Sequence, residues 1–455
     1  MNLDVVILAA GKGTRMRSQH AKVLHQLAGR SLIEHVVASA APLAPRSVNI
    51  VVGHQADEVQ AHLGGVATYV HQNEQLGTGH AVKLAVDGLA EDGVVLVLYG
   101  DVPLVSPATL HQAVDVALNG KVGLITAVFD NPAELGRIIR NSDNDILRIV
   151  EYKDATPAER EITEINSGIL AAPCASLKSW LSQLQPNNAQ GEYYLTDIIA
   201  LAVSAGVGVE GILAAYPEEV TGVNDRVQLA QLERIYQLQQ ADLLMRAGVT
   251  LADPQRVDIR GTVVAGEDCF IDVNVVLQGE VRLGQGVQIG PGVVITDSEI
   301  GDGTQILPHT IVEGAKVAGH CSLGPFARIR PGTQLDDGVK IGNFVEVKKS
   351  HLGPGTKASH LAYLGDATIG ANCNIGAGTV TCNYDGINKH QTQIGDGVFI
   401  GTNSTLVAPI EIADGAFVAA GSSVTVKVES GDLAVGRAKQ RNIKGWVRPD
   451  QRKGS

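Results

Sequence analysis

A glycine-rich segment near the N-terminus, Leu8–Met16 (LAAGKGTRM), contains residue types that could bind phosphate groups. Gly11 and Gly13 allow the backbone to approach a ligand closely, so that its amides could surround phosphate oxygens. Arg15 and, further along the chain, Lys22 add fixed positive charge. The spacing fits neither the P-loop nor the dinucleotide-binding fingerprint. The segment is therefore either a phosphate-binding loop of another kind or a glycine turn with solvated basic residues.

Two further loops in the first half carry polar residues that could contact a nucleotide. Asp101 follows the apolar run Val94–Leu98, where a carboxylate could hold a hard cation against a phosphate. The same aspartate could instead cap a helix or stabilise a turn. The segment Gln75–Ala81 (QLGTGHA) could place backbone amides and Thr78 beside a base, or could be a turn at the start of a helix.

In the second half, residues suited to acid–base chemistry lie within Phe344–Ala367. These residues are Glu346, Lys348, His360 and Tyr363. A histidine beside basic and phenolic side chains could exchange protons near neutral pH. A lone histidine is most often a surface residue, but this one has basic and phenolic neighbours. His360 is therefore a candidate general base.

The first half alternates between strand-like and helical segments, which must position the first three loops. Leu3–Ala9, Val48–Val52 and Val94–Leu98 are apolar and strand-like, whereas Leu32–Ala40 and Ala56–Leu63 are helical. This alternation predicts a mostly parallel sheet with helices on both faces. Ligands of such sheets bind at the carboxyl ends of the strands, which is where the three loops lie.

The segment Arg226–Gly248 has helical composition and predicts a connecting helix. Beyond about Leu251 the pattern changes, because aliphatic residues recur at every sixth position, a period that is typical of a parallel β-helix. The stretch Asn383–His390 breaks this phase and predicts a projecting loop. The residues in phase are Leu283, Ile289, Ile295, Val317, Leu323, Ile329, Leu335, Ile341, Val347, Ile394, Ile400, Leu406, Ile412, Val418 and Val424.

Composition excludes several classes of function. The 455 residues include 36 basic and 48 acidic side chains, a net charge of −12, so we expect no broad nucleic-acid or anionic-membrane surface. No apolar run approaches the roughly 20 residues that cross a bilayer, and the N-terminus does not resemble a signal peptide. The five cysteines are odd in number and lack CxxC spacing. We therefore expect free thiols in a reducing cytoplasm, with no zinc site and no membrane insertion.

The order of the motifs LxxGxGTRM, GTGHA and GD resembles the sugar-nucleotide pyrophosphorylases over about residues 3–225. The resemblance implies a Rossmann-like nucleotidyltransferase in which a sugar 1-phosphate attacks the α-phosphorus of UTP and pyrophosphate leaves. It makes Arg15 and Lys22 catalytic and assigns a Mg²⁺ ion to Asp101 and Asn224. The family usually has proline before the lysine, where this chain has Ala21.

The same resemblance implies a set of residues that bind UTP or the UDP-sugar. Among them, Gln72, Gly77 and Thr78 match uracil contacts, and three residues in ELGRII, VEYKDA and EINSGI match hexosamine contacts. The implied set is Leu8, Ala9, Gly11, Gly13, Lys22, Gln72, Gly77, Thr78, Tyr99, Gly100, Asp101, Gly136, Glu151, Asn166 and Asn224.

The hexad resembles the left-handed β-helix of hexapeptide-repeat acyltransferases over about residues 250–437. The motifs GNFVEVKKS, SHLAYLGDA, NIGAGTVTCNYDG and KH narrow this to the acetyltransferase half of the bacterial bifunctional N-acetylglucosamine-1-phosphate uridyltransferase / glucosamine-1-phosphate N-acetyltransferase family. Both halves and their order fit that family over nearly the whole chain.

This second resemblance makes His360 the general base, with Glu346 nearby as its possible partner. The family often has serine where this chain has Thr402, a change that keeps the hydroxyl. The residues implied to bind glucosamine 1-phosphate are Arg330, Lys348, Tyr363, Asn374 and Lys389. The residues implied to bind acetyl-CoA are Ala377, Asn383, Tyr384, Thr402, Ala420 and Arg437.

We thus expect a uridyltransferase domain over residues 1–225, a linker helix over 226–248, and a hexapeptide-repeat acetyltransferase domain with a C-terminal tail over 249–455. By the resemblance, the substrates are glucosamine 1-phosphate, acetyl-CoA and UTP, and the product is UDP-N-acetylglucosamine for cell-envelope synthesis. Family analogy also implies a cytoplasmic homotrimer.

Two alternatives explain less of the sequence. A nucleotidyltransferase with a regulatory β-helix tail leaves His360, Lys348, Arg330 and Lys389 without a role. A hexad scaffold without activity explains the period but none of the loops.

Overall fold

The computed structural model describes residues 2–451. The chain divides into two compact units between Tyr236 and Gln237. This boundary falls inside the helix Arg226–Arg246, which was predicted as the connecting helix. Gly248 ends that segment with a φ of 94°, and its amide donates to the carbonyl of Met245, which is a common way for a helix to terminate.

The first unit is an α/β domain with a mostly parallel sheet, as predicted. Its sheet has the strand order β11-β7-β10-β6-β1-β4-β5, and β8 and β9 extend it beside β10. The strands are β1 (Leu3–Ala9), β2 (Gln26–Leu27), β3 (Arg30–Ser31), β4 (Ser47–Val52), β5 (Thr68–His71), β6 (Val94–Tyr99), β7 (Val122–Val128), β8 (Arg137–Arg140), β9 (Ile146–Val150), β10 (Glu164–Pro173) and β11 (Val209–Leu213). The helices are α1 (Leu32–Ala40), α2 (Ala56–Leu63), α3 (Thr78–Val86), α4 (Pro107–Leu118), α5 (Pro157–Arg160), α6 (Cys174–Leu181), α7 (Asp197–Ser204) and the start of α8 (Arg226–Arg246).

The sequence of β1 explains why this sheet lies between two helical layers. Val5 and Ile7 point into one hydrophobic core, and Val6 points into the other. Apolar residues at successive positions therefore bury both faces of the strand, as expected for a parallel sheet that is covered on both sides. Strands β1 and β6 run parallel and in register, with Leu8 opposite Tyr99. Their carboxyl ends consequently deliver the glycine loop and Asp101 to the same edge.

The second unit consists of short parallel strands that form a left-handed β-helix, as predicted. We call the strand runs on its three sides face A, face B and face C. Face A contains Thr250–Leu251, Phe270–Ile271, Gln288–Ile289, Gln305–Ile306, Ser322–Leu323, Lys340–Asn343, Lys357–His360, Asn374–Ile375, Phe399–Ile400, Phe417–Val418 and Leu433–Ala434. Face B contains Val294–Thr296, Ile311–Glu313, Arg328–Ile329, Glu346–Lys348, Tyr363–Gly365, Val380–Cys382, Thr405–Val407 and Ser423–Val424. Face C contains Glu299–Ile300, Lys316–Val317, Gln334–Leu335, His351–Leu352, Ala367–Ile369, Thr392–Ile394 and Ile410–Ile412. The longer strands Val257–Ala265 and Val275–Leu283 start the faces B and C.

The six-residue period arises because each face contributes one inward aliphatic side chain per coil. On face A these side chains pair in register from coil to coil, and nearly all are fully buried. These side chains form one apolar column, which fills the interior together with the inward side chains of faces B and C. Its members are Ile289, Ile306, Leu323, Ile341, Ala358, Ile375, Ile400 and Val418.

The predicted projecting loop is present. Leu352 pairs with Ile369, 17 positions on, whereas Ile369 pairs with Ile394, 25 positions on. The additional residues leave the coil after Cys382 and return before Thr392, and an antiparallel bridge between Tyr384 and Lys389 closes the loop. The five cysteines form no disulfide, and Cys382 is the partly exposed one. No helix within residues 2–451 is long and apolar enough to cross a membrane.

Candidate active sites

The glycine loop of the first unit packs directly against Lys22. Gly13 has a φ of 57°, in the left-handed region, and a Cβ atom there would lie 2.6 Å from the Cβ of Lys22. Only glycine satisfies both the backbone conformation and this close approach. The turn Thr14–Met16 follows and carries Arg15. The loop thus places Arg15 and Lys22 on the same side of the sheet edge.

Four of the predicted site residues converge at this edge, although they lie far apart in the sequence. The ammonium of Lys22 contacts the Asp101 carboxylate and lies 3.3 Å from Oδ1 of Asn224. Nη2 of Arg15 donates to the same Asn224 oxygen at 2.9 Å. Asp101 and Asn224 therefore direct two oxygen atoms at one position, which a cationic group occupies.

The predicted uracil contacts line a cleft of about 330 Å³ beside this cluster. The amide of Gln72 is buried, and its Nε2 donates to the carbonyl of Gly77 at 3.1 Å. Gly77 has a φ of 109°, and a Cβ there would lie 2.6 Å from the carbonyl oxygen of Tyr193. Thr78 begins helix α3. The lining residues are Leu8, Ala9, Ala10, Gly11, Lys22, Val23, Gln72, Gln75, Gly77, Thr78, Ala81, Tyr99, Asp101 and Glu192.

The predicted hexosamine contacts meet at the neighbouring strands β8, β9 and β10. The amide N–H of Asn166 donates to the carbonyl of Gly136 at 2.9 Å. A Cβ at Gly136 would lie 3.3 Å from Oε2 of Glu151, and Oε1 of Glu151 accepts from the hydroxyl of Thr196 at 3.2 Å. Burial raises the pKa of Glu151. Three separate segments therefore form one polar wall.

Tyr99 lies between the nucleotide cleft and this wall. Its pKa is raised by burial and further by Glu151 and Asp101, so the phenol stays protonated at neutral pH. Gly168 has a φ of 82°, and a Cβ there would lie 2.5 Å from the Tyr99 ring. The neighbouring Gly100 donates its amide to the carbonyl of Leu8 at 2.9 Å, which joins β6 to β1 at the site.

A second candidate site lies on the β-helix, where cationic side chains gather on face B and in the projecting loop. Nη1 of Arg330 donates to Oε1 of Glu346 at 2.7 Å. The pKa of Lys348 is lowered by the nearby Lys389 and also by Arg330. Tyr363 pairs in register with Glu346. Arg330, Lys348 and Lys389 therefore lie close together, and three cationic groups suit a phosphate dianion.

His360 has a different partner from the one that we expected. Its Nδ1 lies 2.8 Å from Oδ1 of Asn343, which pairs with it in register on the preceding coil. The expectation that Glu346 partners His360 is wrong in this structure, because the Glu346 carboxylate is bonded to Arg330. His360 ends a strand of face A, whereas Glu346 begins a strand of face B. The strand register on face A therefore makes Asn343 the hydrogen-bond partner of His360.

His360 and three predicted acetyl-CoA residues form a column along the corner between faces A and B. We call it the corner column; it contains His360, Ala377, Thr402 and Ala420. Backbone hydrogen bonds between successive coils define it: Asn403 N to Ala377 O at 2.7 Å, and Gly421 N to Thr402 O at 2.8 Å. One coil earlier, Gly378 N donates at 2.9 Å to the carbonyl of Leu361, the residue that follows His360.

The projecting loop holds two more of the predicted acetyl-CoA residues. Asn383 is buried, and its side-chain amide donates to the Asp366 carboxylate. Tyr384 is exposed, and its hydroxyl donates to the carbonyl of Gly386 at 2.6 Å. Arg437 lies beyond the last coil, with its Cδ 3.8 Å from the position that a Gly421 Cβ would take, close to the end of the corner column.

Asn374 is the predicted residue that the structure does not bring to the cationic cluster. It begins a strand of face A, between Lys357 and Phe399 in register, whereas Arg330, Lys348 and Tyr363 belong to face B. Asn374 and these three residues therefore point outward from different sides of the prism. Asn374 therefore stands apart within a single chain.

Asn343 and Gln75 are among the residues that the structure places in the sites and that sequence reasoning missed. Asn343 lies inside the quoted motif GNFVEVKKS, but nothing in its spacing indicated the contact with His360. Gln75 lines the nucleotide cleft and donates from Nε2 to the carbonyl of Ala10 at 2.9 Å. In both cases the partner lies on a different strand or loop, so only the fold could identify it.

Comparison with known proteins gives two family matches and many relatives. The MobA-like NTP transferase domain matches residues 5–195, and the bacterial transferase hexapeptide repeat matches residues 263–297 and 391–425. A bifunctional protein GlmU from Alkalilimnicola ehrlichii is 53% identical over 99% of this chain and 97% of its own length. Proteins of the same name from Pseudomonas putida strain GB-1 and Methylococcus capsulatus are 52% and 50% identical, over 100% and 99% of this chain and 100% and 98% of their own lengths.

Proposed function

Because this chain belongs to the GlmU family of bifunctional proteins, we propose that its two sites catalyse two consecutive transfers. The hexapeptide-repeat unit acetylates glucosamine 1-phosphate with acetyl-CoA. The α/β unit transfers UMP from UTP to the resulting N-acetylglucosamine 1-phosphate and gives UDP-N-acetylglucosamine and pyrophosphate. We assign the uridyltransferase to residues 1–225 and the acetyltransferase to residues 249–455, joined by residues 226–248. By analogy with the family, we also place both reactions in the cytoplasm.

In the first site, the phosphate oxygen of N-acetylglucosamine 1-phosphate attacks the α-phosphorus of UTP. The new P–O bond forms as the bond to pyrophosphate breaks, and pyrophosphate leaves with the electron pair. Such a transfer needs in-line positioning and neutralisation of charge more than covalent help from the protein. Arg15 stabilises the departing pyrophosphate through charge-assisted hydrogen bonds, and Lys22 neutralises the phosphates around the attack.

The oxygens of Asp101 and Asn224 fit a divalent cation. Both already contact the ammonium of Lys22, so they converge on a position that favours positive charge. Within residues 2–451, no group of three or more His, Cys, Asp or Glu side chains could hold a metal ion by itself. Mg²⁺ commonly takes one or two protein oxygens and completes its coordination with phosphates and water. When bound, Mg²⁺ would neutralise charge on the phosphates of the substrates.

The buried amide of Gln72 explains selection of the base. Its nitrogen is engaged by the carbonyl of Gly77, so its oxygen is the atom left to accept a hydrogen bond. A pyrimidine that carries an N–H at position 3 can donate to this oxygen, whereas cytosine presents an acceptor there. Uridine and thymidine share this edge, and both therefore satisfy Gln72.

In the second site, the hydrogen bond between His360 and Asn343 carries the proposal. An amide oxygen can only accept, so Nδ1 of His360 carries the proton and Nε2 keeps its lone pair. Nε2 takes a proton from the aminosugar ammonium, and the freed nitrogen attacks the thioester carbonyl of acetyl-CoA. The C–N bond forms as the C–S bond breaks, and the CoA sulfur leaves with the electron pair. The nitrogen then loses a second proton, which the CoA thiolate takes, and His360 returns the first proton to water. Asn343 positions the base but does not touch the reacting atoms.

The remaining residues of the second site bind the two substrates. Arg330, Lys348 and Lys389 bind the phosphate of glucosamine 1-phosphate, and Tyr363 lies on the same face. Acetyl-CoA lies along the corner column, from His360 past Ala377, Thr402 and Ala420 towards Arg437, and contacts Asn383 and Tyr384 of the projecting loop.

The position of Asn374 supports assembly as a homotrimer. If Asn374 binds the aminosugar, it has to reach the cationic cluster of another copy, because within one chain it lies on a different face. A threefold arrangement of parallel prisms would bring face A of one copy beside face B of the next. Co-expression of Lys348→Ala and Asn374→Ala chains tests this, because Lys348 lies on face B and Asn374 on face A. We expect acetyl transfer to return in mixed oligomers, whereas a site built from one chain would stay inactive in every mixture.

An omission assay tests both activities. The protein is incubated with glucosamine 1-phosphate, acetyl-CoA, UTP and Mg²⁺, and each component is left out in turn. Release of CoA without UTP establishes the second site, and release of pyrophosphate from UTP with N-acetylglucosamine 1-phosphate establishes the first. If pyrophosphate release alone failed, the protein would be an acetyltransferase only, and if CoA release alone failed, it would be a nucleotidyltransferase with a regulatory β-helix.

A further inference from the structure

Residues 19–21, which precede Lys22, are hydrogen-bonded to the N-terminal end of helix α2. None of the described residues that line the nucleotide cleft belongs to α2 (Ala56–Leu63). Nevertheless, the first turn of this helix and the residue before it make two links to residues 19–21. The side-chain amide of Gln55 donates to the carbonyl of Gln19. The carboxylate of Glu58 accepts a hydrogen bond from the backbone N–H of Ala21.

Glu58 uses both of its carboxylate oxygens in this contact. Oε2 accepts the backbone N–H of Ala21 at 3.0 Å, and Oε1 lies 2.7 Å from Nδ1 of His20. The His20 hydrogen bond and then the Ala21 N–H lower the pKa of Glu58, so the carboxylate is ionised at neutral pH. A backbone amide that donates to an ionised carboxylate makes one of the stronger hydrogen bonds in proteins.

Ala21 has the backbone conformation that proline would impose. Its φ is −55° and its ψ is 136°, and it is buried. The ring of proline holds φ near −65°, whereas alanine can leave this region and gains conformational entropy when it does. At Ala21 the bond to Glu58 supplies the restraint, and the turn Lys22–Leu24 starts from it, with Leu24 N donating to Ala21 O at 3.0 Å.

The conformation of Ala21 determines where Lys22 lies. The side chain of Lys22 passes so close to Gly13 that a Cβ there would be 2.6 Å from the Lys22 Cβ. Its ammonium lies between the oxygens of Asp101 and Asn224. A change of φ at Ala21 would move the Cα of Lys22. Neither the close approach to Gly13 nor the contacts with Asp101 and Asn224 leave room for that movement.

We propose that Glu58 is a positioning residue for uridylyl transfer: its carboxylate holds Ala21 in a proline-like conformation and thereby places Lys22 against the phosphates of the substrates. The proposal depends on the proposed function of Lys22. It predicts that a proline at position 21 makes Glu58 dispensable. In the intact protein the proline ring would occupy the space where Glu58 approaches Ala21 N, so the informative variant combines Ala21→Pro with Glu58→Ala.

The test measures uridylyl transfer by the full-length protein, with kcat and the KM for UTP separated. The variants are Glu58→Ala, Glu58→Ala with Ala21→Pro, and Lys22→Ala. Asp57→Ala is the matched control, because Asp57 is exposed in the same first turn and carries the same charge. Acetyl transfer by each preparation shows that equal amounts of protein are compared, and thermal unfolding followed by circular dichroism shows that the α/β unit is folded.

We expect Glu58→Ala to lower kcat/KM about tenfold, less than the roughly 100-fold that a 1 Å misplacement can cost. The proline double variant should recover to within about threefold of the parent, and Asp57→Ala should match the parent. Equal activities of Glu58→Ala and Asp57→Ala would overturn the proposal, and so would a double variant no better than Glu58→Ala. Full activity of Lys22→Ala would instead refute the proposed function of the lysine itself.

Discussion

Oδ1 of Asn343 lies 2.8 Å from Nδ1 of His360, and the two residues are register partners on adjacent coils of the β-helix. The parallel ladder therefore sets the orientation of the imidazole. Because hydrogen bonds of the coil hold both backbones, the ring is directed before any substrate binds. The other ring nitrogen is left at the start of the corner column.

Asn343→Ala removes the acceptor for Nδ1–H and should lower kcat for acetyl transfer about tenfold or more. The loss should not exceed the roughly 10²–10⁴-fold that a positioned general base contributes in total. The KM for acetyl-CoA should change little, since Asn343 lies outside the proposed CoA contacts. Asn343→Asp should retain most of the activity, because a carboxylate oxygen also accepts from Nδ1–H. Nitrogen-15 NMR of the His360 ring should show a single tautomer in the parent and a mixture in Asn343→Ala. An unchanged tautomer in Asn343→Ala would contradict the assignment.

His360→Ala should reduce acetyl transfer by roughly 10²–10⁴-fold, which is the usual range for general base catalysis. Uridylyl transfer should be unaffected, because its residues all lie in the other unit. Rates of CoA release and pyrophosphate release from the same preparation measure both. Loss of both activities in a folded chain would argue against two independent sites.

Asp101→Ala should abolish uridylyl transfer and leave acetyl transfer intact. Removal of the carboxylate deletes one of the two oxygens that converge near Lys22, and with it the proposed Mg²⁺ ligand. Circular dichroism and acetyl transfer verify that the chain remains folded. Substantial uridylyl transfer at saturating Mg²⁺ would exclude this role for Asp101.

Glu151→Gln should stabilise the α/β unit at neutral pH. Burial raises the pKa of Glu151 above its ordinary value of 4.5, so the buried carboxylate favours folding only while it is protonated. That contribution is complete below pH 4.5 and is lost as the pH rises through the raised pKa. Glutamine has no charge to bury and keeps a partner for Thr196. The difference in melting temperature between variant and parent should therefore grow from about pH 4 upward, and a constant difference would refute this explanation.

Much of the architecture could be read from local pattern. Val5, Val6 and Ile7 are consecutive apolar residues, and the strand that they form is buried on both faces as that run predicts. The β-helix followed from the spacing of Ile289, Ile295 and their successors, because one inward side chain per face repeats every six residues. The extra loop after Cys382 followed from the break in that spacing.

Individual contacts could not be read in this way. His360 was expected near Glu346 because the two lie in one segment, yet Glu346 is bonded to Arg330 and Asn343 faces the ring. Sequence distance does not measure distance across a coil, since residues 17 positions apart are neighbours in the ladder. Likewise, nothing in residues 19–22 indicated that a helix almost forty residues later holds Ala21 through Glu58.

The amino-acid sequence by itself determined the two kinds of unit, their order, and the residue types available for phosphate, acyl and proton chemistry. These properties depend on periodicity and composition, which are local. The tertiary structure alone decided which side chains meet: Lys22 with Asp101 and Asn224, Asn343 with His360, and Asn374 apart from the cationic cluster on another face. The physical reason is that hydrogen bonds and ion pairs act over about 3 Å, and only the folded chain brings distant residues within that range.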